Sequence, residues 1–231
     1  MVNPRRGAAA AGLAYLLSFA SIPTLWLYAG VRADASAPGA ASDALLGSFL
    51  EVLVALACVG TAVALYPYVR RQNETLALGF VGARTVEAAL ILVGVADITT
   101  LLRLRGAPGG AEPGAISLLG EQLVAHYDAV FLLSQSLMPG LNALLLGTLL
   151  LRSGLVPRAL PLIGLVGAPL HLIAVGLTLF GVVDRFSPLV GLAALPIAAW
   201  EFGLGVYLVG WGFRPARTPV SGDRSHAERA G

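Results

Sequence analysis

Six long apolar runs constrain this chain more than any other feature. They lie at about residues 7–30, 44–68, 75–102, 122–151, 157–183 and 187–213. Each is long enough to cross the ~30 Å hydrocarbon core of a bilayer at ~1.5 Å of helix rise per residue. In hydrocarbon the backbone must satisfy its own polar groups, so such runs fold as helices. The expected fold is all-α, a six-helix transmembrane bundle forming one domain over residues 1–213, with a polar tail at 214–231 that reads as disordered. Charge usage agrees: only 12% of residues are charged and the mean hydropathy is +0.80, whereas a soluble domain carries ~25% charged residues.

The connections set the threading. Arg5-Arg6 and Ala33-Asp34-Ala35 resemble the start and cleavage site of a signal peptide. The first run exceeds the usual ~7–15 residue core of such a peptide, so it reads as a retained span. Pro23 is expected to kink it, with Ser18 and Ser21 at hand for freed backbone groups. Residues 31–43 and 103–121 read as loops, the second half of the latter as a short interfacial helix. Arg5, Arg6, Arg70, Arg71, Arg152, Arg158, Arg214, Arg217, Arg224 and Arg229 collect on one side, against Arg32, Arg103, Arg105 and Arg185 on the other. The positive-inside rule then places both termini in the cytoplasm. Trp26, Trp211, Tyr28, Tyr66, Tyr68 and Tyr127 fall near run ends, as an interfacial aromatic belt requires. The total absence of Lys, with heavy Ala and Gly usage, fits a GC-rich bacterial genome and hence the bacterial cytoplasmic membrane.

Several function classes are disfavoured. The arginines sit singly or in pairs between apolar runs and form no basic face with interleaved aromatics, so no nucleic-acid partner is expected. Cys58 is the single cysteine and reads as a small buried hydrophobe. There is no HExxH, paired-Cys, Walker A or Rossmann glycine pattern. No metal and no cofactor are expected; His126 and His171 fall at depths ~14 Å apart, too far to share a haem. Gly176, Gly181 and Gly203 read as points of close helix packing.

Ionisable residues at membrane depth are costly and mark candidate sites. Arg84 and Glu87 lie within the third run, three residues apart and so on one helix face. Counted along the helix rise, Glu87 and Glu201 come to ~18 Å from the cytoplasmic end, His171 to ~20 Å and Asn142 to ~14 Å, level with Arg84. Four runs thus deliver polar groups to one mid-membrane layer, in which the forked Arg84 side chain can bridge two carboxylates. Glu51, Asp97, His126 and Asp128 lie nearer the outer ends and read as lining a vestibule or as solvated helix ends.

Three stretches carry a resemblance: GARTVEAALIL at 82–92, LNALLLGTLLLRSGLVPRALPLIGLVG at 141–167 and PIAAWEFGLGVYLVGWG at 196–212. They are similar to the bacterial membrane family called domain of unknown function 4386, over most of the chain. The most specific part is LLRSGLVPR at 150–158, and Arg84, Glu87, Ala88 and Glu201 match the family's Arg-x-x-Glu-Ala and its later Glu. The family commonly carries a His late in the fourth run where this chain has Asn142. The resemblance implies a multi-pass membrane protein and supplies no activity.

The leading expectation is a non-enzymatic membrane protein in which Arg84, Glu87, Glu201, His171 and Asn142 bind a small polar ligand, a proton or a lipid head group. Helices broken at Pro139, Pro161, Pro169 and Pro196 are expected to line the cavity. A rival is a structural or regulatory subunit in which the cluster only fixes helix register. A third reading is an intramembrane enzyme acting on lipid or quinone, with Glu201 or His171 as acid or base. The bilayer is the one expected partner in every case.

Overall fold

The computed structural model describes residues 4–34, 41–105 and 113–214. Among these residues every regular element is helical: α1 (Pro4–Ser18), α2 (Thr24–Leu27), α3 (Ala29–Ala33), α4 (Ala41–Val69), α5 (Glu74–Arg105), α6 (Pro113–Phe131), α7 (Met138–Ser153), α8 (Ala159–Leu179) and α9 (Pro188–Gly210). Taken with their breaks they form six spans long and apolar enough to cross a membrane, at Pro4–Ala33, Ala41–Val69, Glu74–Arg105, Gly114–Ser153, Ala159–Leu179 and Pro188–Gly210. Large apolar side chains are exposed on all six, among them Leu13, Leu56, Leu92, Leu133, Ile173 and Leu192. Such outward faces suit hydrocarbon, where the helix hydrogen bonds are satisfied internally.

Two spans are interrupted. In the first, a 3₁₀ turn at Phe19–Ser21 and Pro23 separate α1 from α2. Freed carbonyls there are met by Ser18 Oγ, which donates to Tyr15 O at 2.7 Å, and by Thr24 Oγ1, which donates to Ser21 O at 2.6 Å. In the fourth, a π-helical turn at Leu132–Leu137 joins α6 to α7, just before Pro139. Single π turns widen a helix and recur at functional sites. The fourth span also starts earlier than the sequence pattern suggests, since residues 113–121, expected in a loop with an interfacial helix, form the first turns of α6. Beyond Arg214 the expected disordered tail lies outside the described residues.

Local signals explain the remaining ends. Asn73 Oδ1 accepts from Leu76 N at 2.9 Å and opens α5, and Ser187 caps α9 ahead of Pro188. The LLRSGLVPR segment ends α7 on Gly154, whose φ of 64° is a left-handed helix cap. Leu155 O in the same turn accepts from Arg214 N at 2.8 Å and ties down the end of the last span.

The spans close into a ring. The first packs on the second and sixth, and consecutive spans pack on one another all the way round. At the end near Pro4 and Arg214 the interior is apolar, built from Tyr15, Leu65, Phe80, Leu146, Trp200 and Leu204 among others. At the opposite end Tyr28, Val31, Ile98, Leu101 and Tyr127 form a second apolar cluster. The polar layer lies between them.

Close approach depends on glycines other than the three expected. Gly176 and Gly181 have no neighbour that a side chain would meet, and Gly203 faces only the flexible end of Leu160. One tight crossing, against backbone, is instead Gly12 on α1 against α9, where a Cβ would lie 2.6 Å from the Gly205 carbonyl oxygen. Backbone cannot yield there as a side chain can. Gly12→Ala is expected to destabilise the bundle by ~1–3 kcal/mol, the usual cost of overpacking, measured as a lowered thermal midpoint in detergent.

Candidate functional site

Arg84 is the centre of the buried layer. It is 1% exposed, and Nη1 donates to Glu87 Oε2 at 2.9 Å, one helical turn along α5. Its Nη2 reaches Glu201 Oε1 on α9 at 3.5 Å. Nη1 also donates to Cys58 Sγ at 3.5 Å, and the guanidinium lies 4.9 Å from the centroid of the Tyr15 ring. Asn142 on α7 donates through Nδ2 to the same Glu87 Oε2 at 2.7 Å. Five spans therefore converge on one guanidinium and its carboxylates. With both carboxylates ionised the cluster carries a formal charge of −1.

Its two halves differ. Glu87 is 4% exposed and holds two short hydrogen bonds, so the Arg84–Glu87–Asn142 half closes on itself. The Glu201 side chain is 13% exposed, with the 3.5 Å contact to Arg84 as its one ion pair among the described residues. It faces two adjoining hollows. An inner one of about 80 Å³ is lined by Arg84, Glu87, Val54 and Glu201 together with Ser18, Ser21, Gln135 and Pro139. An outer one of about 170 Å³ shares those last five residues and adds Phe19, Ile22, His171, Ala194, Ile197 and Ala198.

The break in the first span creates this space. Below it α1 lies along α9; beyond it the turn and α2 lean on α4. Phe19 still meets Phe202 edge-on at a centroid distance of 5.5 Å. The outer hollow lies here, bordered by Ser18, Ser21 and Ile22 of the first span and by Ala194, Ala198 and Glu201 of α9.

His171 stands apart from the ion cluster. Its Nε2 lies 2.7 Å from the Ser136 carbonyl in the π turn, and no hydrogen bond joins it to Arg84, Glu87, Glu201 or Asn142. It shares only the outer hollow with Glu201. Of the four prolines expected along the cavity, Pro139 lines it. Pro161 is buried in the first turn of α8, where a missing N–H costs nothing. Pro169 is exposed on the outer face, and Pro196 packs against Gly167.

The vestibule residues are arranged differently from the sequence reading. Glu51 is fully buried, with Tyr127 Oη donating to Oε1 at 2.6 Å, Gln135 Nε2 to Oε1 at 3.0 Å and Tyr28 Oη to Oε2 at 3.3 Å. Tyr28 and Tyr127 are thus interior ligands of a carboxyl, whereas Trp26 and Trp211 are exposed as an interfacial belt requires. Asp128 pairs with Arg32 at 3.0 Å and Arg185 at 2.8 Å, and Asp97 with His126 at 2.7 Å. Burial pushes the Arg185 guanidinium below its ordinary value, opposed by the Asp128 carboxylate. Gln135, which touches both Glu51 and the two hollows, escapes a search that ranks only ionisable groups; an amide deep in an apolar run is its signal. No group of three metal-ligating side chains occurs among the described residues.

A ring of six apolar spans around a buried, partly open ion cluster defines a polytopic helical protein built for a membrane. The chain belongs to the family described as domain of unknown function (DUF4386), whose model matches residues 10–212. No curated protein and no solved structure matches it.

Proposed function

We propose that this is a multi-pass protein of the bacterial cytoplasmic membrane, with both termini in the cytoplasm, that binds the polar end of a small ligand or lipid at Arg84, Glu87 and Glu201. His171 and Gln135 complete the lining, and the ligand enters sideways through the cleft between the first span and α9. The observation that carries this reading is Glu201: a carboxylate in a buried ion cluster, still 13% exposed and bordering both hollows. A cluster serving only as a clamp gains nothing from leaving one carboxylate on a cavity, since buried charge is stabilised by complete pairing. The arginine count at the two ends, ten against four, supports the orientation.

Filling the mouth separates occupancy from structure. Mass spectrometry of small molecules and lipids released from the purified protein is expected to show one species near stoichiometric amount, falling at least tenfold in Ala198→Leu. The variant should keep its helix content and melting midpoint. Equal recovery from both proteins, or none from either, removes the ligand reading. For the orientation, a reporter active only outside the cytoplasm is expected to report when fused after Asp184 and to stay silent at the C-terminus; the reverse pattern inverts the topology.

A further inference from the structure

We propose that the group taken by this cavity is an ammonium, the charged end of an amine carried on an apolar chain. The inference rests on the reading that the cavity holds a ligand, and the hydrogen-bonding capacity left on its lining residues carries it. A carbonyl can only accept, so the His171 nitrogen 2.7 Å from Ser136 O carries the proton, and Nδ1 of the neutral ring is an acceptor. That Nδ1 is buried without a protein partner. Gln135 gives one of its two amide N–H groups to Glu51 at 3.0 Å, and its buried Oε1 is also without a protein partner. Ser18 gives its proton to the Tyr15 carbonyl at 2.7 Å and keeps only lone pairs. Glu201 adds a carboxylate.

Apart from the Ser21 hydroxyl, which can act either way, and the second amide N–H of Gln135, the polar side chains lining the outer hollow are left with acceptors. No Arg lines that hollow; Arg84 borders only the inner one, where its Nη groups are engaged by two carboxylates and its buried Nε is without a protein partner. In the outer hollow a phosphate or carboxylate would meet Glu201 and several lone pairs and no cation. An ammonium brings three donors and a positive charge to a cluster whose formal charge is −1 with both carboxylates ionised. The rest of the mouth, Phe19, Ile22, Ala194, Ile197 and Ala198, suits an alkyl chain.

Melting of the full-length protein in detergent at neutral pH, with hexylammonium, hexanol or hexanoate added, tests the assignment on one matched chain. Hexylammonium alone is expected to raise the midpoint by several degrees, saturably. Its apparent affinity should fall at least tenfold in Glu201→Gln and in Ala198→Leu, the second of which leaves the ion cluster untouched. In phosphatidylcholine nanodiscs, a rise on including phosphatidylethanolamine identifies a lipid head group as the source. A rise only on adding hexylammonium identifies a free amine, and either result supports the proposal. An equal rise with hexanoate or hexanol overturns the ammonium assignment and leaves the ligand cavity standing. If none of the probes moves the midpoint and no species co-purifies, both fall.

Discussion

Arg84→Met is expected to destabilise the protein by ~3–5 kcal/mol, the usual consequence of breaking a buried ion pair by removing one partner. The reason lies in what stays behind. Glu87 and Glu201 both meet Arg84, and after its loss Glu87 keeps the Asn142 amide but neither carboxylate keeps an ion pair among the described residues. Two carboxylates in a low-dielectric layer would then oppose each other without a cation. Arg84→Lys should recover only part of the loss, because a single ammonium cannot span two carboxylates as a fork does. The double variant Arg84→Met/Glu87→Leu should be more stable than Arg84→Met alone, since it removes a charge that no longer has a partner. Thermal unfolding and the monodisperse fraction after detergent extraction give the comparison. A loss below ~1 kcal/mol for Arg84→Met, the level of an exposed pair, would mean that the cluster is solvated rather than buried.

Depth along a helix is legible from residue number because the rise is constant, and this is why Arg84, Glu87, Asn142 and Glu201 can be placed in one layer from the sequence alone. They are also joined by hydrogen bonds in the structure. Direction around the helix is harder to read. A helix apolar on every side gives no stripe to say which face turns inward, so Glu51 looked like a solvated end although it is fully buried. Tyr28 and Tyr127 sit at the right depth for an interface and point inward all the same. His171 has the right depth and a different azimuth, facing the π turn instead of the ions. The cavity was least legible, because it arises from two breaks in two distant spans, at Phe19–Ser21 and Leu132–Leu137. Pro23 and Pro139 mark where such breaks can fall, but not that both would open onto one hollow.

The Glu51 network yields the second large effect, and its sign distinguishes shape from charge. Glu51→Leu would strand the Tyr127 hydroxyl and the Gln135 amide, which now donate to the carboxyl, while the Tyr28 hydroxyl keeps Ser48 Oγ at 3.4 Å. Each buried group left without a partner costs ~1–3 kcal/mol, so a loss of at least ~2 kcal/mol is expected. Glu51→Gln is nearly isosteric. Its carbonyl oxygen can still receive Tyr127 and Gln135, and its amide can donate to the Tyr28 oxygen, so a change within ~1 kcal/mol is expected. No Arg or His lies within ion-pair distance of Glu51 among the described residues, and removing its charge therefore strands no cation. Equal losses for the two variants, by thermal unfolding, would show that the charge and not the hydrogen-bond geometry holds the outer half together. Glu51→Gln also leaves Gln135 anchored through its amide N–H, with Oε1 still without a protein partner, so the response to hexylammonium should survive it. In Glu51→Leu the freed Gln135 amide can rotate and offer a donor in place of an acceptor, and the ammonium response should weaken even in the fraction that folds.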